Sequence, residues 1–502
     1  MTHWPFFILY FAVLLVLCGY GLHRSHLVYL YWRNRDRIPL LREGGKNPVS
    51  HADAPFVTIQ LPLYNEATVV ARILRAVAKM DYPRDRFEIQ ILDDSTDETK
   101  HIVDIEAKNL IDQGVDASVV RRAVRVGYKA GALDAGLNTA KGELVAIFDA
   151  NFVPQPDFLR SLVGEFRDPS VAMVQARWGH MNRELSLMTR VQALMLDGHH
   201  LVENRARFSS GRLFNFSGTG GMWRIKAIQD AGGWQHDTLT EDLDLSYRAQ
   251  LKGWRFVYRE DVVSPSELPE DVSSLRAQQY RWAKGTVQTA RKLLGVVLRS
   301  NLSVPQRIEA VFHLTPHFAY PLMMVLSILL LPALLLSPKT DLLAMAIVDL
   351  PLCFGTTMSL GLFYGMAERS QGGSAWTGLR RLPALIALGM GMAPHLTRAV
   401  SDGLQSMAGE FVRTPKKGTV AGRYSTHANL PLAEMALCCV STCSVIAALN
   451  TGHWIAAPFA SLFAFGYGYV ATLVIREQRS REQAATITVE ERTEMQSVTA
   501  AS

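Results

Sequence analysis

Cysteine is scarce in this chain, and the few present are badly placed for a scaffold. The 502 residues hold five, Cys18, Cys353, Cys438, Cys439 and Cys443, all inside apolar stretches. They form no spaced framework, so neither a structural zinc site nor a disulfide-stapled fold is indicated. The first apolar run, Pro5 to Leu22, has no Lys or Arg before it and no small-residue cleavage site. That excludes the pattern of a cleaved signal peptide. Arg24, Arg33, Arg35, Arg37 and Arg42 follow it instead, as expected of a retained helix whose C-terminal end faces the cytoplasm. The net charge of +6 is concentrated beside apolar runs, at Arg24 to Lys46 and Arg413 to Arg423. This fits a cytoplasmic membrane surface and gives no reason to expect a nucleic-acid partner.

What is present divides the chain. Apolar residues make up 48%, an ordinary share unevenly spread. Residues 1–50 read as a transmembrane anchor and basic linker, 51–300 as a soluble domain and 301–480 as a membrane region. Ile308 to Leu336, Leu342 to Met366, Leu432 to Leu449 and Trp454 to Ile475 join Pro5 to Leu22 as expected spans. Leu382 to Met407 is apolar at first but carries His395, Arg398, Asp402 and Gln405 in its second half. If it crossed the bilayer, Arg413-Thr414-Pro415-Lys416-Lys417 would lie outside, against the positive-inside tendency. An interfacial amphipathic helix is expected there, which leaves about five spans, a plasma or inner membrane location and a cytoplasmic soluble domain. Residues 481–502 are charged and rich in Thr and Ser, the composition of a disordered tail.

Within the soluble domain, strands and helices alternate, so a mostly parallel sheet with helices on both faces is expected. Phe56 to Pro62 and Arg86 to Leu92 read as strands, with helical spacing of Val69, Val70, Ile73, Leu74 and Val77 between them. Further short strands are expected near Val119 and Val171. Leu144 to Phe148 is a continuous apolar run that ends abruptly in Asp149-Ala150-Asn151, as in a strand buried on both faces. Ligands bind beyond the carboxyl ends of such strands. Residues i and i+2 of an extended segment point the same way, so Asp149 and Asn151 can grip one metal or phosphate together.

Four further polar groups recur. Asp93-Asp94 ends a strand, where two carboxylates can accept hydrogen bonds from a base and a ribose, or cap the next helix. Gly127-Tyr128-Lys129-Ala130-Gly131 has small residues that let a phosphate approach, with Lys129 for charge. Thr240 suits an N-cap, placing Glu241 and Asp242 in the first helical turn, where the dipole favours carboxylates. Gln278, Arg281 and Trp282 share one helical face: an amide, a guanidinium that can pair with phosphate and an indole that can stack on a sugar.

In this order, Asp-Asp, Lys-Ala-Gly, Asp-x-Asn, Thr-Glu-Asp and Gln-x-x-Arg-Trp resemble the inverting family 2 glycosyltransferases of the cellulose synthase superfamily. Leu92 to Asp97, Gly127 to Leu133, Val174 to Trp178, Ala231 to Trp234 and Leu251 to Trp254 are most similar to mannan synthases and xyloglucan-backbone glucan synthases. The resemblance covers residues 55 to 300 strongly. It implies an α/β GT-A glycosyltransferase domain embedded in an α-helical membrane domain, polymerising sugar from UDP-glucose or GDP-mannose and exporting the product. Asp93 and Asp94 would contact the nucleoside, and Lys129 and Arg281 the diphosphate. Asp149 and Asn151 would hold Mg²⁺ or Mn²⁺. Asp242 would be the general base, and Glu241, Gln278 and Trp282 would bind the acceptor end of a polysaccharide or lipid. Residues 411–418, with Phe411, Thr414 and Lys416, resemble a gating loop, and accessory export or regulatory subunits are conceivable partners.

One position departs from the pattern. The resemblance implies Asp where Asn151 stands, and an amide is a poorer ligand for a hard cation than a carboxylate. Weaker metal binding, an orienting role, or a nucleotide-sugar-binding partner with impaired catalysis are the three readings. A transferase adding one sugar to a membrane lipid is the enzymatic alternative.

Overall fold

The computed structural model describes residues 4–37, 51, 53–336, 357–407, 409 and 431–501. The soluble domain is built on seven strands: β1 (Val57–Leu63), β2 (Phe87–Asp93), β3 (Ala117–Val120), β4 (Leu144–Ile147), β5 (Val171–His180), β6 (Gly221–Arg224) and β7 (Arg255–Ser266). Their order across the sheet is β3-β2-β1-β4-β6-β5-β7. All neighbours run parallel except β6, which is antiparallel to both β4 and β5. The mostly parallel sheet expected from the sequence is therefore present, with one reversed strand in its middle.

Register explains where the site lies. Leu63 pairs with Asp93, and Gln60 with Ile147, so β1, β2 and β4 end at one edge and Asp149 stands just past it. The interiors of these strands hold Ile59, Leu61, Ile89, Ile91, Val145 and Ile147, all fully buried. Each contributes about 1.5–3 kcal/mol of burial. Polar side chains inside the sheet are paired: Thr58 Oγ1 donates to Glu88 Oε1 at 2.7 Å and Gln60 Nε2 to Gln90 Oε1 at 3.0 Å. The helix after β1 spans Val70–Val77, and its buried face is Val70, Ile73, Leu74 and Val77, the i, i+3, i+4, i+7 stripe of its sequence.

Among the described residues, four helices are long and apolar enough to cross a membrane: Pro5–Arg33, Pro316–Leu336, Leu432–Thr451 and Ala456–Ser480. The first helix runs to Arg33, past the Leu22 expected as its end. At about 1.5 Å per residue it exceeds the roughly 30 Å hydrocarbon core, so its basic end is free to reach the soluble domain. Leu27 and Leu30 pack with Ala206 there. His23 pairs with Glu309 at 3.0 Å, and Glu309 accepts from Arg207 Nε at 2.9 Å. The expected span Leu342 to Met366 begins outside the described residues, and its end lies in the helix Ser359–Ser370.

One expectation needs correction. Leu382 to Met407 is not one helix but two, Ala375–Gly391 and Ala393–Gln405. The second has Pro394 in its first turn. Proline has no N–H for a continuing helical ladder, so the break falls just before it. The last helix spans Ala456–Ala501.

Candidate active site

A cavity opens at the carboxyl edge of the sheet. Asp94, Lys129, Asp149, Asn151, Glu241, Asp242, Gln278, Arg281 and Trp282 all line it. Nine residues scattered over some 190 positions of sequence are thus brought to one hollow. Asp149 follows β4, with its backbone N–H donating to Thr219 Oγ1 at 2.9 Å. Lys129 Nζ donates to Asp149 Oδ1 at 2.6 Å and to the Gly218 carbonyl at 2.9 Å. Burial opposes the Lys129 charge, but Asp149, Glu241 and Asp242 outweigh it and hold the ammonium above its ordinary range.

Glu241 and Asp242 open the helix Glu241–Leu251. Asp242 Oδ1 accepts from the Leu243 N–H at 2.8 Å. Burial, then the neighbouring Glu241 charge, push the Asp242 carboxyl up to about 7, against the opposing pull of Lys129. Burial likewise raises Glu241. Thr240 holds the N-cap position, as expected, yet its hydroxyl makes no cap bond and pairs with Thr289 Oγ1 at 3.1 Å. It ties this helix to Val272–Arg299, the helix that carries Gln278, Arg281 and Trp282.

The adjacent carboxylates at the end of β2 part company. Asp94 faces the cavity, gripped by the fork of Arg122, whose Nε donates to Oδ1 at 3.0 Å. Asp93 points the other way. Its side chain is fully buried, accepting from the Ser95 N–H at 3.0 Å and from Arg121 Nε at 2.9 Å. It holds the strand end rather than lining the cavity. Gly131 is also explained locally: a Cβ there would lie 2.1 Å from the Val126 carbonyl, so the missing side chain admits the chain's own backbone. Phe411, Thr414 and Lys416 lie outside the described residues.

Sequence reasoning missed several wall residues. Tyr64, Glu66 and Arg125 line the same cavity, with the Arg125 guanidinium 3.4 Å over the Tyr64 ring. Tyr64 directly follows β1, so its place beyond a strand end was the available signal. Trp178 was noted only as part of a resemblance, yet it lines this cavity and a second one. The second cavity, of about 490 Å³, runs from Trp178, Ser217, Asp242 and Trp282 in among the membrane helices, reaching Leu17, Tyr320, Leu385 and Phe459.

The family description "Glycosyl transferase family group 2" matches residues 144–360. Probable glucomannan 4-beta-mannosyltransferase 9 of Oryza sativa subsp. japonica is 38% identical over 352 residues, 66% of this chain and 67% of that protein. The chain belongs to glycosyltransferase family 2. Glucomannan 4-beta-mannosyltransferase 2 of Arabidopsis thaliana is 41% identical over 280 residues, 55% of this glycosyltransferase and 52% of the relative. The chain thus spans about half the length of several of the relatives it matches. A solved mannosyltransferase from Pyrobaculum calidifontis, in complex with GDP-Man and Mn²⁺, is 22% identical with a TM-score of 0.53, covering 78% of this chain and 98% of that one. That likeness bears on the fold.

The donor set of this glycosyltransferase fits a substrate-bridged cation. Among the described residues no cluster of three or more His, Cys, Asp or Glu forms a cage. Asp149 is partly exposed to the cavity, and Asn151 lines it two residues on. One or two protein oxygens completed by substrate phosphates are how Mg²⁺-type ions are commonly held. Asn151 also has a structural bond: its Nδ2 donates to the Glu267 carbonyl at 3.2 Å, joining the end of β4 to the end of β7. Asn151→Asp removes that donor and sets a carboxylate against a carbonyl, so stability should fall by about 1–3 kcal/mol. Titrating Mn²⁺ against activity in the same variant separates the roles. A lower half-saturating concentration marks position 151 as a ligand, and an unchanged one as an orienting residue.

Proposed function

We propose that this glycosyltransferase passes a hexosyl group from a nucleotide sugar to a growing β-linked polysaccharide, inverting the anomeric centre, and feeds the product into the membrane. The hexose we propose is mannose, supported by the likeness to glucomannan mannosyltransferases. The observation that carries the reading is the place of Asp242. It stands in the wall shared by the polar cavity and the second cavity, with its carboxyl held near neutrality. A general base works best with a pKa near the working pH.

In this reading the nucleoside lies by Asp94 and the diphosphate between Lys129 and Arg281. Both cations offset the charge that grows on the leaving group. A divalent ion held by Asp149 and the Asn151 carbonyl would add Lewis-acid stabilisation of that same charge when bound. Trp282 stacks the acceptor's terminal sugar, with Gln278 and Glu241 bonding its hydroxyls. Asp242 removes the proton from the attacking hydroxyl as the C1–O bond to the diphosphate breaks. One displacement on an α-linked donor gives a β-linked product.

The test is to supply detergent-purified protein with GDP-mannose or UDP-glucose and Mg²⁺ or Mn²⁺, then digest the product with linkage-specific glycosidases. A β-linked mannose polymer is expected. A single sugar on lipid would replace this reading with a lipid-linked transferase, and binding without transfer with a nucleotide-sugar-binding partner.

The pair of carboxylates gives a pH prediction. Transfer requires Asp242 deprotonated, so kcat/KM should fall about tenfold per pH unit below neutrality. Glu241 raises Asp242 by its charge, so Glu241→Gln should lower that pKa and move the acid limb to lower pH. A profile that stays in place, or moves to higher pH, would show that the two carboxylates are not linked in this way.

A further inference from the structure

Three arginines, Arg121, Arg122 and Arg125, lie on the loop between β3 and the helix Tyr128–Leu137, and two of them are spent on structure. Arg121 donates to Asp93, Asp104 and the Lys100 carbonyl at 2.9, 2.8 and 3.2 Å. Arg122 grips both oxygens of Asp94 and donates to the Val126 and Tyr128 carbonyls at 2.7 and 2.9 Å. Arg125 is different. Its Nε is buried without a hydrogen-bond partner, 3.9 Å from Asp94 Oδ2. Among the described residues its terminal nitrogens have no acceptor either, and the side chain lines the polar cavity. Burial holds this guanidinium below its ordinary range. It has given up water with no hydrogen bond in return, and such a set of donors needs an explanation.

What holds Arg125 in place is stacking. Its guanidinium carbon lies 3.4 Å over the centre of the Tyr64 ring and 4.9 Å over that of Tyr128. At 3.4 Å the guanidinium and the Tyr64 ring lie face to face, because an N–H aimed at the ring would hold the carbon farther off. A stacked guanidinium keeps its N–H bonds in its own plane, so the fork is left to serve an acceptor that arrives edge-on. The backbone is built to keep this arrangement. Gly127 and Tyr128 are both left-handed, with φ of 72° and 49°. For a tyrosine this is strained, and residues held in that way cluster at ligand-binding positions. The Arg122 bond to the Tyr128 carbonyl fastens the turn.

We infer that Arg125 reads the base of the donor nucleotide and selects guanine, donating through its fork to O6 and N7 while Asp94 accepts from the N1–H and the amino group. The inference rests on the nucleotide-sugar reading above and names the residue that chooses its base. A planar fork fits two acceptors set side by side, and the guanine edge presents O6 and N7 in that arrangement. Uracil offers O4 next to a C–H and so takes a single bond. Adenine sets an amine against the fork. Each Asp94 oxygen accepts from Arg122 and keeps a lone pair for the base. The cations divide accordingly along the cavity. Lys129 pairs with Asp149 at the end assigned to the diphosphate, and Arg125 stands beside Asp94 at the end assigned to the nucleoside.

The test is calorimetric binding of GDP and of UDP, each with Mn²⁺, to the full-length protein in detergent. Wild type is expected to bind GDP more tightly. Arg125→Lys keeps the charge and removes the fork, so the GDP dissociation constant should rise roughly tenfold, within the range for one bidentate base contact. That for UDP should change less than about threefold, because an ammonium still supplies the single bond that uracil takes. The retained UDP affinity also shows that the variant is folded and its diphosphate site intact. Arg125→Met removes the charge as well and should erase the preference for GDP. Equal losses for GDP and UDP in the lysine variant would overturn the inference in favour of a role in holding phosphate or the loop. An unchanged preference in both variants would overturn it too, as would a wild type that binds UDP as tightly as GDP. A wild type that binds neither nucleotide would instead overturn the nucleotide-sugar reading, and the inference would fall with it.

Discussion

Asp242→Asn is expected to bind nucleotide sugar and transfer none of it. The amide keeps the size of the carboxylate and can still accept the Leu243 N–H bond through its oxygen. It cannot take a proton from the acceptor hydroxyl, so the loss should lie at or beyond the upper end of general-base effects, about 10³- to 10⁴-fold in kcat. The groups assigned to the donor, Lys129, Asp149 and Arg281, come from other elements, so the dissociation constant for GDP-mannose or UDP-glucose should change little. Removing the negative charge beside Lys129 should, if anything, favour the diphosphate. Radiolabel incorporation and calorimetric donor binding on one preparation decide the matter. Turnover above about a tenth of wild type would rule out Asp242 as the base.

The helix start that carries Asp242 could be placed in advance because its signal is local, whereas the role of base came only from the family resemblance. A Thr followed by two acids and a helical apolar pattern marks a helix start, and the end of a buried apolar run marks the rim of a parallel sheet. These patterns survive in sequence because backbone geometry sets them within a few residues. Asp93 and Asp94 show where this stops. Side by side in sequence they look equivalent, but adjacent residues of a strand face opposite ways, and only tertiary packing decides which carboxylate meets Arg121 and which the cavity. The reversed β6 was hidden for a related reason. Four residues, Gly221–Arg224, carry too little pattern to be told from a loop, and only pairing with Leu144–Ile147 makes them a strand. The second cavity has no sequence signature at all, since its wall is assembled from helices far apart in the chain.

Gly285 belongs to the same class of hidden residue and carries the second large expected effect. It sits in the helix Val272–Arg299, one turn after Trp282. A Cβ built on it would lie 2.7 Å from Thr240 Cγ2, 2.8 Å from the Thr240 nitrogen and 2.9 Å from the Leu239 carbonyl carbon. The neighbouring turn fastens the same two residues: Gln288 Oε1 accepts from the Leu239 N–H at 3.0 Å, and Thr289 meets the Thr240 hydroxyl. The glycine therefore sets how closely the helix bearing Arg281 and Trp282 approaches the first turn bearing Glu241 and Asp242. Gly285→Ala pits two effects against each other. Alanine favours the helix by about 1 kcal/mol, while overpacking against backbone costs about 1–3 kcal/mol, so global stability should shift only modestly. The catalytic consequence should be far larger. Moving the base relative to the stacked acceptor by a fraction of an ångström to an ångström is worth on the order of 10²-fold in transfer. Donor affinity should fall less than turnover, because only Arg281 of the donor-binding cations rides on the displaced helix, while Lys129 is held by Asp149 and the Gly218 carbonyl. A variant with wild-type turnover would mean that the two helices adjust freely. Donor binding lost to the same extent as turnover would mean that the contact holds the whole domain and not the catalytic pair.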